Sequence, residues 1–124
     1  MTKACTDIEQ SHKLMEFLPI ESADCYWSYD SLQGFYRIEW FEDGYNKQSQ
    51  LREKDIPCWS LVALLNVLPK YTKRIYELSI YGDEKPLFGI IDCDLNIHKG
   101  FEGDDYIDAC VNMIVYMHEK LEQF

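Results

Sequence analysis

The chain is poor in positive charge: 12 lysines and arginines stand against 22 aspartates and glutamates, a formal net charge of −10 over 124 residues. Residues 1–62 and 63–124 each carry 6 basic and 11 acidic side chains, so neither half holds a segregated basic segment. Phosphate binding needs a positive footprint, and its absence argues against DNA, RNA and anionic membrane as partners. Long apolar runs are missing too. None reaches the ~18 residues of a membrane span, and the opening MTKACTDIEQSHK has no apolar signal region. The 5 cysteines include no Cys-x-x-Cys pair, and their number is odd. That pattern points to free thiols in a reducing cytoplasm, not to a disulfide framework. His12, His98 and His118 form no HxxxH or HExxH pattern. Cys93 and His98 could approach across a hairpin, but a pair of ligands makes no metal site. The sequence therefore assigns no metal and no cofactor.

What is present describes a packed globule, 47% hydrophobic and 15% aromatic. The length suits a single globular domain over residues 1–124, large enough to fold without a disulfide or metal. TDIEQSHKLMEFLP reads as a helix, with Thr6 and Glu9 at capping-box spacing and Pro19 closing it. ADCYWSYD then alternates, with Cys25, Trp27 and Tyr29 on one face. After the turn SLQG, FYRIEWFE alternates with Tyr36, Ile38 and Trp40 together, which predicts an antiparallel hairpin. The polar stretch 43–55 is long for a loop and is the expected mobile or functional excursion.

Residues 60–68 form the next helix, ended by Pro69. Ser60 suits its N-cap, and Trp59 and Leu64 occupy the two positions of a hydrophobic staple. Leu61, Leu64, Leu65 and Leu68 make the apolar stripe. Strands are expected at IYELSIY, at LFGIID after the turn GDEKP, and at IHKGFEG after DLN. The last helix runs from about Asp105 to Glu122 with Ile107, Cys110, Ile114, Met117 and Leu121 as its core face. The order is α-β-β-α-β-β-β-α. This is an α+β single domain, an antiparallel sheet covered by helices on one face.

Several stretches imitate functional motifs and fail on spacing. FGIIDCDLN and GDDYID resemble the first and last motifs of haloacid dehalogenase-like phosphotransferases. That family places a whole doubly wound sheet where this chain has about ten residues, from Asp94 to Asp104. Asp92, Asp94 and Asn96 begin like a calcium loop, yet Ile97 and Gly103 stand where glycine and glutamate are required. From residue 60 onward the order copies a double-stranded RNA-binding domain, but GDDY at the last helix would repel phosphate. Cys58 lies where a helix begins, and a helix dipole can activate a thiol. Its surroundings fit helix start and core packing better, since no base partner can be assigned.

SADCYW at 22–27, IPCWSLVALLNVLPK at 56–70 and the ending FEGDDYIDACVNMIVYMHEKL together resemble small proteins of gut bacteria, their phages and mobile elements. Those carry a Pro-x-Trp-Ser-Leu helix between a SAD segment and an amphipathic C-terminal helix. The resemblance covers most of the chain from residue 6 and implies a compact intracellular domain, but no activity or cofactor. The chain departs from it in its charged segment at 82–86 and its acidic ending around 102–108.

These readings favour a non-enzymatic acidic domain that works through protein contact as an accessory or regulatory factor. Trp27, Trp40 and Tyr45 are its candidate interaction residues, and its partner is an unspecified protein, with self-association left open. One alternative is a small enzyme or ligand-binding domain using Cys58 or the Asp92/Asp94 turn. Another is a nucleic-acid mimic whose carboxylates imitate duplex phosphates.

Overall fold

A computed structural model describes residues 3–79 and 85–124. Their order is α1 (Ile8–Met15), β1 (Cys25–Asp30), β2 (Phe35–Trp40), α2 (Lys47–Gln50), β3 (Ile56–Cys58), α3 (Leu61–Val67), β4 (Arg74–Ser79), β5 (Leu87–Asp92), β6 (Ile97–Glu102) and α4 (Tyr106–Leu121). The fold is α+β. The expected order is present, with α2 and β3 added inside and after the long polar stretch. The antiparallel strands form two sheets, in the orders β2-β1-β3 and β4-β5-β6. The chain divides into two compact units, residues 4–66 and residues 67–124 with Lys3. The end of IYELSIY and the residues 82–84 of its turn lie outside the described residues.

In the first unit the cap of α1 sits one residue later than its sequence spacing suggests. Asp7 accepts from the Gln10 N–H, and the Gln10 side chain accepts from the Asp7 N–H. Thr6 is instead drawn into the interior, fully buried, with its hydroxyl 2.8 Å from that of Ser11. Strands β1 and β2 pair from Cys25↔Trp40 to Asp30↔Phe35. The Asp30 carboxylate closes their turn by accepting from the N–H groups of Leu32 and Gln33. Gly34 takes a φ of +75°, a left-handed conformation that costs glycine least.

The polar stretch 43–55 is tied down rather than free. Asn46 caps α2, and the Lys47 ammonium donates to the carbonyls of Glu21 and Ala23. The Asp55 carboxylate, its side chain only 1% exposed, accepts from the backbone N–H groups of Tyr29 and Arg52 and from the Arg52 guanidinium. That clamp delivers the chain into β3, where Ile56, Pro57 and Cys58 are all buried. Proline is tolerated there because β3 is an edge strand.

Ser60 caps α3: its hydroxyl accepts from the Ala63 N–H at 3.3 Å, and its carbonyl accepts from the Leu64 N–H at 3.0 Å. Trp59 and Leu64, at the staple positions, are both fully buried. The apolar stripe is narrower than its leucines suggest. Leu65 is exposed, and Ala63 joins Leu64 as a buried residue of the helix.

The second unit is a three-stranded sheet with α4 on one face. Alternate residues of β5, namely Phe88, Ile90 and Asp92, are buried. They match the buried side of α4, which includes Ile107, Cys110, Ile114 and Met117 as its spacing predicts, while Leu121 is only half-buried. Asp105 caps α4 by accepting from the Asp108 N–H at 2.9 Å.

Candidate functional site

The β1–β3 pairing creates the most concentrated chemistry in the first unit. Cys25 lies directly opposite Cys58 across the two antiparallel strands, and their sulfurs are 3.1 Å apart. A third thiol, Cys5, comes from the segment ahead of α1, and the three Sγ atoms lie within 4.8 Å of one another. All three are buried, with exposures of 2%, 0% and 0% for Cys5, Cys25 and Cys58. Trp27 and Ile38, the next cross-strand row, pack against them.

Backbone geometry holds each sulfur in place. Thr6 anchors the Cys5 segment to β3 through its N–H, which donates to the Trp59 carbonyl at 2.9 Å. Its hydroxyl accepts from the Trp59 N–H at 3.1 Å, and its carbonyl accepts from the Trp27 indole N–H at 3.0 Å. Asp24 stands beside the cluster with Oδ1 3.5 Å from Cys25 Sγ, but its oxygens accept from the Ser60 N–H and hydroxyl.

The thiols do not share one acidity. Hydrogen bonds from Cys25 and Cys58 stabilise the Cys5 thiolate and hold that group below the usual thiol range, against burial and the charges of Asp24 and Asp7. Cys25 is pushed up by its hydrogen bonds with Cys5 and Cys58 and by burial. For Cys58 the hydrogen bond with Cys25 favours the thiolate, but the one to Cys5 and burial outweigh it and raise the group. Cys58 is thus a strand residue ahead of the helix cap, buried and disfavoured as a thiolate. The Ser60 cap and α3 begin after it, so Cys58 belongs to β3 rather than to the first turn of a helix.

The remaining sequence candidates separate. Trp27 is half-buried against the thiols, whereas Trp40 is 57% exposed and Tyr45 is 69% exposed. Trp40 nonetheless shares a row with the cluster, because Cys25 faces Trp40 on one side and Cys58 on the other. Between Trp40 and Tyr45 lie the exposed carboxylates of Glu42 and Asp43. The Gln50 side chain fixes this segment, accepting from the Glu42 N–H at 2.9 Å and donating to the carbonyls of Glu42 and Tyr45. Phe41 is anchored beneath it against Tyr26, ring centroids 4.9 Å apart.

In the second unit, hydrogen bonds to Asp92 hold the Asp92/Asp94 turn. Asp92 Oδ2 accepts from Arg74 Nε at 2.7 Å in a buried ion pair, and Oδ1 accepts from the N–H groups of Asp94 and Leu95. With both oxygens engaged, Asp92 is a turn-forming carboxylate, and Asp94 is exposed beside Lys73 at 3.7 Å. Asn96 completes the turn with a φ of +54°.

The sequence reading missed Cys5 and Cys25 as companions of Cys58. The alternation of β1 already aims Cys25 to the side of Trp27, but the missing signal is β3, a three-residue strand containing proline. Among the described residues, no helix is long and apolar enough to cross a membrane. Comparison with protein-family models, curated proteins and solved structures gave no match to this chain.

Proposed function

We propose that this chain is a non-enzymatic protein-interaction domain whose contact surface is the acidic aromatic segment from Trp40 to Tyr45. The observation that carries the reading is the pair of exposed aromatic rings bracketing Glu42 and Asp43 on a segment braced by Gln50. Tryptophan and tyrosine are the residues most often responsible for binding energy at protein interfaces. A braced segment loses little conformational freedom on association, which favours affinity. The partner it fits is a basic protein segment with apolar side chains, because residues 39–45 contain three carboxylates and no basic residue. A second copy of this chain suits the surface poorly, since both copies carry a formal charge of −10. An accessory or regulatory role accords with this surface.

The test is a titration of isotope-labelled protein with synthetic peptides of alternating lysine and leucine, compared with glutamate and leucine. The basic peptide is expected to move the Trp40 and Tyr45 resonances, with affinity that falls as salt rises. Joint replacement of Trp40 and Tyr45 by alanine should abolish that response. Binding that leaves both residues unperturbed, or survives the double replacement, rejects the surface.

A further inference from the structure

Among the described residues, the cluster of Cys5, Cys25 and Cys58 is the place where three metal-ligating side chains converge. Packing alone gives a poor account of it. Cys110 shows what a packing thiol looks like in this chain: it is fully buried on α4 and belongs to no group of converging metal-ligating side chains among the described residues. The three thiols of the cluster arrive from three separate segments, and each position is set by backbone pairing. Cys25 and Cys58 are fixed by strand register, and Cys5 by the Thr6 hydrogen bonds to Trp59 and Trp27. Within a spread of 4.8 Å, small side-chain adjustments bring three sulfurs to about 2.3 Å from a common centre.

We infer that Cys5, Cys25 and Cys58 form a binding site for a soft d10 cation, Cu(I) or Zn(II), which ties the segment ahead of α1 to the β2-β1-β3 sheet. The donor set selects the class. Three sulfurs and no imidazole suit thiophilic ions, whereas magnesium and calcium require oxygen ligands. Asp24, the adjacent carboxylate, is already engaged by Ser60. Binding transfers no electrons: each thiol that ligates releases its proton to solvent as its sulfur–metal bond forms. Two considerations divide the candidate ions. Zn(II) neutralises more of the thiolate charge, but its structural sites are almost always four-coordinate. Cu(I) leaves more negative charge and favours an all-sulfur donor set. Either ion would hold Cys5 against the sheet independently of the Trp40–Tyr45 surface.

The experiment uses the full chain, reduced and freed of metal under anaerobic conditions. Zn(II) and Cu(I) are titrated separately against a chromophoric chelator, and native mass spectrometry reads the stoichiometry. One ion should bind per chain, with a change in Trp27 emission that Trp27→Phe removes. Cys5→Ser should weaken binding by about 100-fold or more, the scale expected when a ligand rather than its support is lost. Cys93→Ser, which alters an exposed thiol in the other unit, should leave affinity unchanged. Alkylation of the wild-type chain in rising urea keeps the test valid if Cys5→Ser fails to fold: the metal-free chain should expose Cys5, Cys25 and Cys58 as it opens, and the bound ion should delay their modification together while the exposed Cys93 reacts throughout. Failure of both ions to compete with the chelator overturns the inference. So does undiminished affinity in folded Cys5→Ser, or an ion that protects none of the three thiols.

Discussion

Thr6 and Trp59 bind each other twice: the Thr6 N–H donates to the Trp59 carbonyl at 2.9 Å, and the Trp59 N–H donates to the Thr6 hydroxyl at 3.1 Å. Both residues are fully buried. A residue whose spacing suggests a helix cap is therefore a link between the segment ahead of α1 and the end of β3. Thr6→Val keeps the shape but leaves the Trp59 N–H without its acceptor and the Ser11 hydroxyl with only the longer bond to the Thr6 carbonyl, at 3.5 Å. A loss of about 3 kcal/mol is expected, from one to three for each buried polar group stranded. Thr6→Ser retains the hydroxyl and should cost about 1 kcal/mol for the missing methyl group. Urea unfolding followed by circular dichroism compares the two variants. Equal losses would show that the hydroxyl is not the source of the stabilisation.

Acid should loosen the 43–55 stretch through Asp55. Burial alone would raise this carboxyl, but the N–H groups of Arg52 and Tyr29, helped by the Arg52 guanidinium, more than offset burial and hold it below its ordinary value. The unfolded chain then binds the proton more readily than the folded one. Stability from Asp55 is complete above the unfolded value of about 3.9 and is lost as pH falls through the lower folded value. Asp92 has the same sign, with the Leu95 N–H as the leading cause and Arg74 assisting against burial. Asp55→Asn should cost about 2 kcal/mol near neutrality and flatten part of the acid limb, leaving the part due to Asp92. Thermal unfolding between pH 6 and 2 tests this; an acid limb unchanged by Asp55→Asn would remove Asp55 from the account.

The sequence made some of these relationships legible and hid others for physical reasons. The core face of α4 and the alternation of β1 with β2 emerge because their burial follows the periods of helix and strand. The Ser60 cap is local and equally readable. Leu65 misled because α3 spans only Leu61–Val67 and buries fewer of its residues than a long amphipathic helix would. Thr6/Glu9 and Asp7/Gln10 have the same cap spacing, and what separates them is the demand of buried Trp59 for an acceptor, a tertiary fact. The thiol cluster was hidden most completely. It joins residues far apart in sequence through an edge strand whose proline argues against strand structure.

Gly103 is required by close approach rather than by its backbone angles. A Cβ there would lie 2.4 Å from the Ala109 nitrogen and 2.6 Å from Asp108 Cβ, against the first turn of α4. The nitrogen belongs to the helix backbone and cannot swing aside. Gly103→Ala should therefore destabilise the second unit by about 1–3 kcal/mol, the usual cost of overpacking. Gly89 supplies the control, since a Cβ at that position meets its nearest neighbours at 3.7 Å and 3.9 Å, ordinary contact distances. Gly89→Ala should be nearly neutral. Hydrogen exchange at the α4 amides would locate the effect, and equal protection in the two variants would contradict it.

The tryptophans should divide by role. Trp59 has no exposed surface, and its indole N–H donates to the Ser22 hydroxyl at 2.9 Å. Trp59→Ala should cost about 3–5 kcal/mol, as for other large buried aromatic residues. Trp40 and Tyr45 are largely exposed, and their replacement by alanine should alter stability by no more than about 0.5 kcal/mol each. Their expected effect is on association: in the basic-peptide titration, Trp40→Ala should lower affinity by tenfold or more, about 1.4 kcal/mol. Denaturant midpoints and peptide affinities measured on the same preparations separate the two roles. A Trp40→Ala protein that unfolds early would make the ring a packing element and remove it from the proposed surface. A stable protein with lost affinity would assign Trp40 to recognition.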